Sequence, residues 1–286
     1  MAEATPSALR ELVANASLEI APRERAGIAN VAKSLPVNTC VYVPAPAKRP
    51  LLETLDAVAA IRPVGLDPVP HIAARRFASR AELARFLAVG AGEHGVHRVM
   101  LIAGDEAQPR GPYADALQVL EDGVLAQAGI REVGVAGYPE GHRAISPGAL
   151  EQALARKLTL ARQQGLGVYA VTQFSFSTTR ITAFCADLAR SAPGVPVYVG
   201  MAGPTDAVAL MRYAQICGVS GSLRAMRNLG ASMAGLATHT DPHEQLLALA
   251  RHVDTRVDSN VVGIHLYSFG GALRTADWLR DRLHPV

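Results

Sequence analysis

Glu19 lies between Leu18 and Ile20 in a short apolar run. In a strand it faces either solvent or the interior. Facing inward it is desolvated, which favours the protonated carboxyl and suits it to general-acid work. His71 follows Pro70 and Asp105 follows Gly104, each where an apolar run gives way to a turn. His71 reads as a core histidine satisfied by backbone or as a functional imidazole. Asp105 reads as a turn residue or helix cap, or as a functional carboxylate. Tyr138-Pro139-Glu140-Gly141-His142 packs an aromatic, a carboxylate and an imidazole into one turn. Gln173, His265 and Tyr267 lie near the ends of two further apolar runs.

Several chemistries are disfavoured by what surrounds these residues. No Cys/His grouping has zinc spacing, so no metal site is expected. No G-x-S-x-G elbow is present, which argues against a serine hydrolase. Neither G-x-G-x-x-G nor a Walker loop follows an early strand. The three cysteines, Cys40, Cys185 and Cys217, are far apart in apolar contexts and read as buried small hydrophobes in a reducing compartment.

The elements that would position the site residues alternate between strand and helix periodicity. Strands are expected over 17–21, 39–43, 69–74, 98–104, from 133, over 167–174, 195–200 and 261–267. Helices are expected near 23–35, 51–61, from 79, over 113–127, 146–164, 179–192, 206–217, from 241 and over 272–283. Ser79 and Glu82 have capping-box spacing, and Ser146-Pro147 sets an N-cap before a first-turn proline. Eight strand-helix units argue for an α/β fold, a single (β/α)8 TIM barrel over 1–286, with an irregular helical insertion over 218–258 before the last strand. An open doubly wound sheet is the alternative. In a barrel the site forms at the C-terminal ends of the strands, where Glu19, His71, Asp105, Tyr138, His142 and Gln173 all fall.

With 49% hydrophobic and 19% charged residues, the 286-residue chain can bury a large core. Its net charge of +3 comes without a dense Lys/Arg cluster, so no nucleic-acid face is expected. No apolar run approaches the ~18 residues of a membrane span, and the N-terminus lacks signal-peptide regions. A cytoplasmic protein is expected. No heptad or apolar patch marks an interface, which leaves a homo-oligomer open.

Together these stretches resemble the methylenetetrahydrofolate reductase family over roughly residues 17–278. The most specific is Ala136-Gly-Tyr-Pro-Glu-Gly-His142. Pro70-His71, Gly104-Asp105 with Tyr113-Ala-Asp-Ala-Leu117, Thr172-Gln173-Phe174, Ser17-Leu-Glu19 and Gly263-Ile-His-Leu-Tyr267 follow. The resemblance implies an FAD-dependent oxidoreductase on a (β/α)8 barrel. It would pass hydride from NADH or NADPH to 5,10-methylenetetrahydrofolate, giving 5-methyltetrahydrofolate, or run in reverse. Glu19 then matches the general acid and Asp105 the carboxylate beside pterin and flavin. Gln173 matches a folate contact. His71, Gly104, Asp105, Ala114, Tyr138, His142, Arg156 and Lys157 match flavin-contacting positions.

The chain also departs from that pattern. Ala103 stands where the family has an arginine, and Leu150 and Ala153 replace acidic and amide positions. Ser268-Phe-Gly-Gly271 replaces a Thr-Leu-Asn-Arg continuation after the last strand. These departures leave two alternatives open: a flavin-independent folate reductase that uses NADH directly, and a non-catalytic folate- or flavin-binding partner subunit.

Overall fold

The computed structural model describes residues 6–47, 49–219 and 241–284. Eight parallel strands close into a barrel, each paired with its sequence neighbours and β8 paired back to β1. The strands are β1 (Ser17–Glu19), β2 (Cys40–Val43), β3 (Asp67–Ala73), β4 (Arg98–Ile102), β5 (Glu132–Gly137), β6 (Gly167–Thr172), β7 (Val197–Ala202) and β8 (Val261–Tyr267). The helices are α1 (Ala8–Ala14), α2 (Ile28–Ala32), α3 (Leu51–Ile61), α4 (Arg80–His94), α5 (Ala116–Asp122), α6 (Val124–Gln127), α7 (Pro147–Gln163), α8 (Thr178–Ser191), α9 (Ala207–Ile216), α10 (His243–Asp254) and α11 (Ala272–Leu283). The expected (β/α)8 barrel is therefore the fold, and the open sheet is excluded by the β1–β8 pairing.

Local chemistry sets the boundaries. Ser79, Asp115, Ser146, Ser177 and Asp206 each cap a helix by accepting a backbone N–H. The helix expected over 113–127 is two, because Gly123 turns left-handed (φ +75°) between α5 and α6. β4 stops at Ile102, before the expected Gly104, whose φ of +98° leaves the strand conformation. β7 starts two residues later than expected: Pro196 lacks an N–H, and the Val197 N–H makes the bond to the Asn260 carbonyl. α1 lies outside the expected elements. Its first turn is clipped by Asp254 at the end of α10, which accepts from the Ser7 and Ala8 N–H groups at 2.7 and 2.9 Å. Of the insertion expected over 218–258, residues 220–240 lie outside the described residues, and His243–Asp254 form a regular helix.

Alternation along the strands sorts two cores. Outward-facing Leu18, Val41, Ile72, Leu101, Val135 and Ile264 are buried under the helices. Inward-facing Tyr42, Val69, Met100, Tyr169 and Val171 fill the barrel, with Tyr42 donating across it to the Tyr169 hydroxyl at 3.0 Å. Glycines make room for these rings. A Cβ at Gly134 would lie 2.8 Å from the Tyr169 ring, and one at Gly200 would lie 2.8 Å from the Tyr267 ring.

Candidate functional site

A cavity of about 550 Å³ opens at the C-terminal ends of the strands. Its floor is polar. Glu19 ends β1, His71 points in from β3, and His265 lies two residues before the end of β8. Glu19 Oε1 is 3.6 Å from His71 Nε2 and 3.8 Å from His265 Nε2. These are ion-pair distances, longer than a hydrogen bond. The side chains are nearly buried, at 16% exposure for Glu19, 11% for His71 and 1% for His265. Register explains the meeting: Ser17 pairs directly with His265 across the closing seam, and its hydroxyl lies 2.9 Å from His265 Nδ1. Burial pushes the His71 imidazole down to about 4, against a weaker opposing pull from Glu19. It is therefore neutral at pH 7, and its Nε2 makes no hydrogen bond.

Asp105 also lines the cavity, from the β4–α5 loop. Arg75 holds that loop, donating to the Ala114 and Glu106 carbonyls at 2.7 and 3.1 Å. Arg76, buried beneath, pairs with Glu106 at 3.1 Å. Gly104 permits the turn, since a Cβ there would meet Glu106 Oε2 at 2.9 Å and Ala73 at 3.2 Å. Tyr138 sits nearby; burial, then the charge of Asp105, pushes its phenol up. Its ring meets His142 edge-on at 5.5 Å. Gln173 follows β6, and its Oε1 accepts the Glu140 N–H at 3.0 Å. Its amide NH₂ is left without a partner among the described residues. Glu140 itself accepts from Ser175 at 2.6 Å, a turn-holding role.

The remaining wall is aromatic: Phe174, Tyr213, Tyr267 and Phe269, with Tyr213 stacked on Phe269 at 4.5 Å. Such faces suit flat heterocycles. Cys217 is exposed toward the cavity. Desolvation first, then Glu19 and Asp105, pushes its thiol up to about 11, so it is no thiolate at neutral pH. Arg23, Arg49 and Arg143 ring the mouth. Arg49 pairs with Glu53 at 3.6 Å; Arg23 and Arg143 make no ion pair among the described residues. The arrangement can bind a flat, polar ligand with an anionic end and deliver one proton from its floor.

No protein-family model matches the chain. Among solved structures, it is similar to an uncharacterised protein from Clostridium thermocellum that binds two copies of 5-methyl-5,6,7,8-tetrahydrofolic acid. The TM-score is 0.62 at 10% identity, covering 96% of this chain and 98% of that one. At that identity the likeness shows the fold. Two structures of dihydropteroate synthase from Thermus thermophilus, each 14% identical, score 0.46 and 0.47. They cover 92% and 94% of this chain, and 90% and 94% of theirs. At those scores they carry no argument.

The expected site residues divide into two sets. Glu19, His71, Asp105, Tyr138, His142 and Gln173 meet at one cavity. Gly104, Ala114, Arg156 and Lys157 do not line it. Ala114 spends its carbonyl on Arg75 and its N–H on the Gln118 side chain. Arg156 pairs with Glu121 at 2.7 Å in a separate shallow groove with Ala155, Thr159 and Leu160. Lys157, on the same helix, is desolvated, which lowers its pKa, with Asp115 acting against that shift. The residues expected to contact a flavin dinucleotide therefore do not share one site: His71, Tyr138 and His142 line the cavity, while Arg156 and Lys157 stand apart from its lining. Among the described residues no group of three or more His, Cys, Asp or Glu side chains could hold a metal.

Of the aromatic wall only Tyr267 stands out in the sequence as a strand-end candidate; Ser17, Tyr213, Phe269 and the three mouth arginines do not. Period-2 alternation carries a signal for Ser17, which shares a face with Glu19. The arginines belong to irregular loops, where no periodicity points.

Proposed function

We propose that the chain binds a reduced folate in this cavity and reduces 5,10-methylenetetrahydrofolate to 5-methyltetrahydrofolate with hydride taken directly from NADH. The observation that carries this reading is the floor of the cavity, one nearly buried carboxylate between two imidazoles, with Asp105 and Gln173 on the walls above. Glu19 gives its proton to N10 of the folate. The bond from N10 to the bridging carbon breaks and leaves an iminium at N5. Hydride from the nicotinamide then adds to the bridging carbon, and NADH leaves as NAD⁺. Asp105 accepts from the pterin N–H groups, and Gln173 donates its free amide N–H. The fold likeness to a protein that binds a methyltetrahydrofolate supports the ligand class. The position of Arg156, paired with Glu121 away from the cavity, favours direct transfer over a resident flavin.

His71, Tyr138 and His142 on the cavity wall favour a second reading, in which a flavin ring is held there. One preparation separates the two. The first requires a colourless protein that consumes NADH only when the methylene folate is added. A yellow protein whose flavin spectrum bleaches with NADH supports the second. Folate binding without NADH consumption, with or without added FAD, overturns both and leaves a binding protein.

A further inference from the structure

Ser17 and His265 are buried at 2% and 1% exposure, on strands 248 residues apart in sequence, directly behind Glu19. The Ser17 hydroxyl has two acceptors in reach, His265 Nδ1 at 2.9 Å and the Ile264 carbonyl at 3.4 Å. A neutral imidazole carries one N–H, so its two nitrogens are coupled. When Ser17 donates to Nδ1, the proton is on Nε2 and faces Glu19 Oε1. When Ser17 turns to Ile264, Nδ1–H donates to the serine oxygen, and Nε2 presents a lone pair to Glu19.

We propose that Ser17 and His265 form a positioning pair that matches both protonation states of Glu19, the serine hydroxyl rotating and the imidazole exchanging tautomers as Glu19 gains or loses its proton. With Glu19 ionised, Nε2–H faces the carboxylate oxygen. With Glu19 protonated, its O–H faces the Nε2 lone pair. The exchange takes up one proton from the cavity that Glu19 lines: Glu19 gains one, the imidazole loses Nε2–H and gains Nδ1–H, and the serine hydroxyl keeps one throughout; the reverse returns it. The groups facing Glu19 from the packed elements are His71 on β3, Tyr42 on β2 against the His265 ring (4.4 Å), Tyr267 on β8 and Cys217 after α9. Burial pushes Tyr42, Tyr267 and Cys217 up, and it pushes His71 down to about 4. Around neutral pH none of the four changes charge, which leaves the pair to answer Glu19.

The assignment of catalytic consequence rests on the folate reading, but the tautomer itself does not, and the test uses both. The full chain labelled with ¹⁵N-histidine is titrated without substrate, with His265→Gln assigning the signal and carboxyl ¹³C shifts following Glu19. The His265 nitrogens are expected to exchange their protonated and unprotonated shifts as Glu19 titrates. In Glu19→Gln and in Ser17→Ala they hold one pattern across the range. An unchanged wild-type pattern through the Glu19 titration overturns the proposal, as does a Ser17→Ala pattern identical to wild type. With 5,10-methylenetetrahydrofolate, Ser17→Ala is expected to lower kcat roughly tenfold at unchanged KM, less than the hundredfold that about an ångström of misplacement costs. It also moves the midpoint of the kcat/KM pH profile. Wild-type protein that shows the tautomer exchange but no turnover sinks the folate reading and keeps the pair. Turnover with a fixed tautomer sinks the pair and keeps the reading.

Discussion

At the N-terminal end of the barrel Arg98 donates to Glu132 at 2.7 Å and to the Cys40 sulfur at 3.0 Å, with its guanidinium 5.2 Å from the Tyr169 ring. At the C-terminal end Glu19 meets its two imidazoles at 3.6 and 3.8 Å and receives no hydrogen bond from the described residues. The clusters belong to one barrel but to different strands, β2, β4, β5 and β6 for the first and β1, β3 and β8 for the second. One is a cation matched at short range by a carboxylate, a sulfur and a tyrosine ring. The other is a carboxylate without a close donor, lining a cavity. Close pairing lowers the energy of a group in one protonation state. A proton donor needs the reverse, similar energies in both states. On the proposed function, the first end serves stability and the second reactivity.

Four experiments would break or sharpen that division. The largest effect is expected at the reactive end. Glu19→Gln should lower folate reduction on the order of a thousandfold, within the usual range for general-acid loss. Its denaturation midpoint should stay near wild type; a mutant that keeps its turnover removes Glu19 from the mechanism.

The next effect is on acid stability. His71 is held neutral to about 4, against 6.5 in an ordinary setting. Between those values the unfolded chain binds a proton that the native chain does not. Stability is therefore fully present above about pH 6.5 and is lost as pH falls toward 4, by up to about 3 kcal/mol. Urea titrations at pH 7 and pH 4.5 measure the loss, and His71→Asn should flatten it.

Arg98→Met tests the closely paired end. Removing one partner leaves Glu132 without its cation, at a cost of about 2 kcal/mol, moderated because Glu132 is 36% exposed. Turnover per folded molecule should not change. A loss of turnover at full stability would show that the two ends are coupled. Tyr42→Phe should cost least, about 1 kcal/mol from the bond to Tyr169, read from the urea midpoint.

Much of this was legible in the residues. Leu51–Ile61, Val261–Tyr267 and Ala272–Leu283 fall on their expected bounds, because each has a clear apolar pattern, and Pro50 and Gly271 mark where the two helices start. Glu19 and Asp105 were legible as strand-end carboxylates, and the structure brings both to one cavity. The gaps have physical causes. α1 precedes the first strand, and its partner Asp254 is distant in sequence, so nothing local announces it. Arg156 and Lys157 suit an anion by type, but no local pattern reports that Glu121 and Asp115 lie beside them. The role of Ser17 depends on register across the seam between the first strand and the last.

That seam sets an order of events. The strands that bring Glu19 and His265 together bracket almost the entire chain, so the floor of the cavity exists only once the barrel is closed. Local helices can form early, while a pairing between β1 and β8 must wait for most of the intervening chain. Turnover in a refolding chain is therefore expected to return last, after helical signal has recovered. In a chain still being synthesised, Glu19 would remain without its β8 neighbour until the eighth strand arrives.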